Sequence, residues 1–320
     1  MKNERIEWID IAKGIGIILM VIGHLGIPKY LSNWIYSFHM PLFLFLSGLV
    51  FNVGGCSFKK LLRKRLLQLL VPYIGFSIIV FTGSYFLPVT SWLSKDVCVF
   101  LIYGNQSALW FLPVLFVTQL IAFPVLKLCN DMLSKTILFI VITILILWCD
   151  TFSHGIYYSM SAVPLSLLFF IIGALSRDRI LIINNVKYNI ILSAGFFFFS
   201  FVLSQLFSPP VNVMNGHLGG YGLVSIFISF VGIISTRFFS EFLSGFKVTK
   251  RFILYVGKNT LPVLGLSQLY YLYAKDLLTL FNVPLYTSLT LRITFMCLAL
   301  WGSILFINKN IPLLVGKLKR

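Results

Sequence analysis

The reactive residue types in this chain are few, and they stand inside apolar runs. In KGIGIILMVIGH, residues 13 to 24, Lys13 opens an apolar stretch and His24 closes it. At 3.6 residues per turn the two lie on one helix face, about three turns or roughly 16 Å apart. Asp10 precedes Lys13 by three residues, on the same face and close enough to pair with it. In FHMPLFLFLSG, residues 38 to 48, a second imidazole, His39, stands just before Pro41. An imidazole titrates near neutrality, which is what proton transfer from a hydroxyl requires. His24 and His39 are therefore the candidate bases, and Asp10 is the group that holds Lys13.

Each residue has a plainer reading beside the chemical one. A charge at the centre of a membrane helix costs about 2.5 to 3.5 kcal/mol on insertion scales, so Lys13 either snorkels to the lipid phosphates or lines a passage with Asp10 and His24. Pro41 lacks a backbone donor and restricts its predecessor, so the second helix is expected to begin at or break near it. His39 then falls near the outer surface, like His24, and either joins it or simply caps the helix and meets headgroups. Ser47 in LFLSG is a possible covalent nucleophile, but a serine beside glycine in such a helix is more usually a packing residue. Gly14, Gly16 and Gly23 thin the first helix for a neighbour or a ligand.

The elements that carry these groups are set by composition. The chain has 320 residues, 58% apolar and 11% charged, with a mean hydropathy of +0.94, which describes an integral membrane protein. The fold class expected is all-α and polytopic, a single membrane domain over 1–320. Apolar segments fall at about 9–27, 36–53, 68–88, 108–127, 136–149, 160–176, 189–207, 217–236, 252–273 and 287–307. The first follows both acids and bases (Lys2, Glu4, Arg5, Glu7), has no clear small-residue cleavage site and is long enough to span, so it is read as a membrane helix. If these are ten crossings with a cytoplasmic N-terminus, twenty-one Lys and Arg fall inside and only Lys29, Lys95 and Lys275 outside. Both termini are then cytoplasmic, and Lys13 and Arg292 are the cations left at membrane depth.

The net charge of +17 thus reports orientation, and nucleic-acid binding is not expected. Cys56, Cys98, Cys129, Cys149 and Cys297 are odd in number and lack metal-ligand spacing, so neither a disulfide framework nor a metal site is expected. Between the second and third segments runs KKLLRKRLLQLLVPY, residues 59 to 73. Its Lys60, Arg63 and Arg65 either bind anionic lipid or hold the phosphates of an anionic cytosolic ligand.

In this order, DIAKGIGIILMVIGH, FHMPLFLFLSG, the basic run leading to VPY, LWFLPVLF (109 to 116) and GKNTLPVLG (257 to 265) resemble the acyltransferase-3 family of membrane O-acyltransferases, particularly its fucose 4-O-acetylase-like branch. The resemblance covers most of the chain and is densest in its first 120 residues. It implies a multi-pass enzyme of the bacterial plasma (inner) membrane that moves an acetyl group from cytosolic acetyl-CoA to a hydroxyl, commonly on a cell-surface glycan or its lipid-linked precursor. The family's motif of a basic residue, ten positions and a histidine falls on Lys13 and His24, with lysine where arginine is usual. Gln68 stands at a position usually basic, and Ser267 and Gln268 where the branch tends to carry a histidine.

On that reading Lys13, Arg63 and Arg65 meet the donor, Trp110 stacks on donor or acceptor, and His24 acts as general base with His39 orienting the acceptor or the oxyanion. A pantetheine arm has about the length of the three helical turns between Lys13 and His24. The rival class is a transporter or flippase for a lipid-linked saccharide or small anion, to which multiple spans and intramembrane charges are equally suited.

Overall fold

The computed structural model describes residues 6–54, 57–85, 108–128, 131–152, 160–177, 189–282 and 284–317. Cys56, Cys98 and Cys129, and the cations Lys2, Arg5, Lys95, Arg179, Lys187, Lys319 and Arg320, lie outside them. Apart from a single antiparallel bridge between Asn212 and His217, every regular element among the described residues is helical. The helices are α1 (Glu7–Gly23), α2 (Lys29–Leu49), α3 (Phe58–Arg65), α4 (Val71–Tyr85), α5 (Phe111–Leu128), α6 (Met132–Phe152), α7 (Ala162–Leu175), α8 (Asn189–Leu206), α9 (Leu223–Ser244), α10 (Lys247–Lys258), α11 (Thr260–Leu280) and α12 (Leu285–Asn310).

Among the described residues, four stretches are long and apolar enough to cross a membrane: Phe58–Gly83, Ala108–Leu128, Leu223–Ser244 and Leu289–Asn310. Shorter apolar helices occupy Leu133–Trp148, Ala162–Leu175 and Ile190–Leu206.

Two expected segments are drawn differently. The basic run is not a connection ahead of the third span: α3 continues through a π turn, Leu66–Leu70, into α4. The segment expected at 252–273 is two helices, because Asn259 leaves helical geometry (φ −120°, ψ 34°) between α10 and α11.

The chain forms two compact units, one of Met1–Cys56, Val117–Ile156 and Met160–Lys258, the other of Ser57–Phe116, Tyr157–Ser159 and Asn259–Arg320. In the first, α1 and α2 form an antiparallel pair joined by a short turn in which Gly26 takes φ +73°. Helix crossings here close on glycine. A Cβ on Gly48 would strike the Phe170 carbonyl, and one on Gly173 the Phe45 carbonyl, so α2 and α7 meet backbone to backbone. Gly14 against the Ile253 carbonyl and Gly257 against the Asp10 carbonyl do the same for α1 and α10. Glycines in the first helix therefore admit neighbouring helices: Gly16 faces Leu42 and Phe43, and Gly23 faces Tyr36.

Pro41 neither starts nor interrupts α2, contrary to expectation. A proline at 41 removes the N–H that would bond the carbonyl of Ser37. That carbonyl is bonded from outside the helix, by Ser229 Oγ of α9 at 2.5 Å. With the orphaned acceptor satisfied by a neighbour, the helix continues.

In the second unit, α4, α11 and α12 pack through side chains. Tyr273 donates to the Gly83 carbonyl at 2.8 Å, Tyr270 and Ser303 share a 2.6 Å hydrogen bond, and Asn308 Nδ2 donates to Asn259 Oδ1 at 2.8 Å.

Candidate functional site

The site builds from the N-terminus of α1. Glu7 and Asp10 occupy its first turn, where the helix dipole favours acids. Glu7 pairs with Lys250 of α10 at 2.5 Å, and Arg237 of α9, paired with Glu241 at 2.6 Å, lies 4.0 Å from the Trp8 ring centroid. Within this frame Lys13 Nζ lies 3.9 Å from Asp10 Oδ1; Asp10 is buried and Lys13 half-buried. The glycine crossing of α10 on α1 falls at the same level, so the pair rides on a backbone that has no room to shift.

His24 caps the other end of the same unbroken helix, so the Lys13-to-His24 spacing is realised on one rigid element. The ring is part-buried, edge-on to Tyr36, and its Nδ1 lies 2.8 Å from the Met20 carbonyl. A carbonyl only accepts, so Nδ1 carries the proton, and in the neutral ring Nε2 is left as a lone pair. His39 repeats the arrangement with Nδ1 3.0 Å from the Ile35 carbonyl. Both imidazoles are thus set in the tautomer that offers Nε2 as a base.

His39 is not at the outer end of its helix, where the sequence reading put it. It lies midway along α2 and is buried, because α2 starts at Lys29, well before the proline. The two histidines nevertheless come together around one residue that the sequence reading missed. The Tyr36 ring centroid is 6.0 Å from that of His24 and 5.2 Å from that of His39, and its hydroxyl donates to the Gly23 carbonyl at 2.8 Å. The signal was available: Tyr36 stands three residues before His39 and therefore shares its helix face. Ser47 is half-buried next to Gly48, whose Cα presses on α7.

Arg63, Arg65 and Trp110 belong to the second unit. Ser57 caps α3 by accepting from Lys60 N–H at 3.3 Å. Lys60 and Arg63 are exposed and three apart on one face, but Arg65 is two residues from Arg63 and turns elsewhere, donating to Gln68 Oε1 at 3.0 Å. Gln68 is thus a partner for an arginine. Trp110 ends a 3-10 turn, buried against Phe111, and Gln268 Oε1 accepts from the turn's Ala108 N–H at 3.3 Å. Among the described residues no group of three or more His, Cys, Asp and Glu is placed to hold a metal.

Helical elements and membrane-length apolar helices among the described residues define the class as a helical membrane protein. The acyltransferase domain of the acyltransferase-3 family matches residues 6–308, and the chain belongs to that family. It is also similar to nodulation protein NolL of Sinorhizobium fredii, 35% identical over 95 residues that make up 26% of each chain. To nodulation protein NolL of Mesorhizobium japonicum it is 34% identical over 94 residues, 25% of each. The chain thus spans about a quarter of the length of the curated relatives it matches. No solved structure matches it.

Proposed function

We propose that the protein is a membrane O-acetyltransferase, of the fucose 4-O-acetylase-like kind its sequence blocks resemble. It moves an acetyl group from cytosolic acetyl-CoA to a hydroxyl of a cell-surface glycan or its lipid-linked precursor. The observation that carries the reading is the 2.8 Å contact of His24 Nδ1 with the Met20 carbonyl, which leaves Nε2 of the neutral ring as a base at the end of a helix that carries a cation about three turns away.

His24 Nε2 takes the hydroxyl proton as the sugar oxygen attacks the acetyl carbonyl carbon. The C–S bond of the tetrahedral adduct breaks, the ester forms, and the imidazolium returns the proton to the departing CoA sulfur. Lys13, held by Asp10, faces the anionic or carbonyl part of the donor. Arg63 and Arg65 engage CoA phosphates from different sides of α3, and Trp110 walls the donor or acceptor. His39, packed against the tilted ring of Tyr36, orients the acceptor. Membership of the family, the apolar helices and the one-sided distribution of Lys and Arg support a multi-pass protein of the bacterial inner membrane with about ten crossings and both termini cytoplasmic.

The test is mass spectrometry of surface glycans from cells with and without the protein, joined to CoA release by the purified chain. Wild type adds one acetyl increment and releases CoA, and His24→Ala loses about a hundredfold to ten-thousandfold of both. Equal spectra and equal CoA release from wild type and His24→Ala overturn the assignment. Movement of a saccharide with no need of an acyl donor identifies a transporter instead.

A further inference from the structure

Arg292, stranded at membrane depth by the orientation count, has no part in the proposed reaction. It lies on α12, antiparallel to α11 in the second unit. The contacts Asn259–Asn308 and Tyr270–Ser303 set the register of these two helices, and continued toward their connection that register brings Asp276 level with Arg292. Asp276 is only 7% exposed, yet its Oδ2 has no hydrogen-bond partner, and neither has the buried Nε of Arg292. Among the described residues no ion pair joins them, although the charges of Arg292 and Lys275 both act on the carboxylate.

A buried carboxylate oxygen without a donor, level with a half-buried arginine whose buried Nε has no acceptor, is costly in an apolar setting, and such groups mark ligand paths. The missing partner must bring an anion for Arg292 and hydroxyl donors for Asp276. It must also bring hydrocarbon, since the neighbouring Leu277, Leu289, Leu291 and Phe295 are all exposed. Phosphate meets these demands at the arginine, where a planar guanidinium gives two parallel hydrogen bonds.

We propose that Asp276 and Arg292 seat the head of an amphiphile that carries a phosphate next to hydroxyl groups, the phosphate on Arg292 and a hydroxyl on Asp276. A polyisoprenyl-phosphate sugar and the glycerol phosphate head of phosphatidylglycerol share this chemistry. The first would make the seat an acceptor site for the proposed acetyl transfer, and the second a site for a resident lipid.

The test titrates the full-length protein in phosphatidylcholine nanodiscs, without acetyl-CoA, with a short-chain polyisoprenyl-phosphate hexose or with phosphatidylglycerol, and reads binding by native mass spectrometry. Asp276→Asn and Arg292→Gln, each checked by size-exclusion elution, weaken binding by about tenfold to a hundredfold. Weakening seen with the hexose compound assigns the seat to the acceptor; weakening seen with phosphatidylglycerol alone assigns it to the bilayer lipid. Unchanged binding of both probes in both variants overturns the proposal. So does full recovery in the Asp276→Arg/Arg292→Asp double variant, which is the behaviour of two charges that serve only each other. No acyl donor enters the measurement, so its outcome is separate from that of the transfer reaction.

Discussion

The two units join their helices by different means. In the first, glycine lets backbone touch backbone: Gly48 and Gly173 lock α2 to α7, and Gly14 and Gly257 lock α1 to α10. In the second, the glycines Gly75, Gly83 and Gly265 face side chains, Leu314, Leu269 and Phe76, and the helices are tied by Tyr, Asn and Ser hydrogen bonds. Backbone contact leaves no side chain free to rearrange, so it fixes position; side-chain contact tolerates adjustment. The helices carrying Lys13, His24 and His39 are the ones held rigidly. That is the preorganisation that the proposed proton transfer demands. The seat at Asp276 and Arg292 lies in the unit whose contacts can yield around a ligand.

The largest effect that would break this contrast is steric. Gly173→Ala places a methyl group on the Phe45 carbonyl, so α2 and α7 must separate, at a cost of about 3 kcal/mol, the upper part of the range for overpacking. Gly83→Ala meets only the Leu269 side chain, 3.1 Å from the added carbon, which can rotate away. Its cost is offset by the helix preference for alanine, and the net change is near zero. Unfolding titrations in mixed micelles compare the two; similar losses would erase the distinction between the units.

A smaller effect tests the polar side. Asn308 donates to Asn259 Oδ1 and to the Ile304 carbonyl, each at 2.8 Å, and accepts from Lys317 Nζ at 2.7 Å. Asn308→Leu removes all three and costs about 1.7 kcal/mol, the upper end measured for hydrogen bonds between membrane helices. The same unfolding titration reads it, and a loss as large as that of Gly173→Ala would mean the second unit is no more adaptable than the first.

How far the sequence could be read follows from the same contrast. The Lys13-to-His24 stripe was legible because it depends only on helical periodicity within one unbroken element. The glycines of α1 announced close approach, though not that the visitor is Ile253 of α10, more than two hundred positions away in the chain. His39 was misplaced because Pro41 reads locally as a helix start, while the reason it is not one lies on another helix. Asn259 divides α10 from α11 within what hydropathy shows as a single run, since hydropathy registers apolar content and is blind to a dihedral angle. Tyr36 and Asp276 were missed for a common reason. Each becomes informative only through a neighbour, His24 for the one and Arg292 for the other.

The smallest effect concerns Pro41 and asks whether the first unit also depends on one polar contact. Ser229 Oγ lies 2.5 Å from the Ser37 carbonyl and 3.0 Å from that of Ser225 in its own helix. Ser229→Ala leaves the Ser37 carbonyl with no donor and costs about 0.6 kcal/mol, the mean for such contacts. If the serine substitutes for the N–H that proline lacks, the cost must vanish when that N–H is restored. In a Pro41→Ala background residue 41 bonds Ser37 within α2, and Ser229→Ala becomes silent. A double-mutant cycle on unfolding free energy isolates this coupling from the separate effects of each change. Additive losses would mean that Ser229 serves only α9, and that α2 passes through Pro41 with its carbonyl unattended.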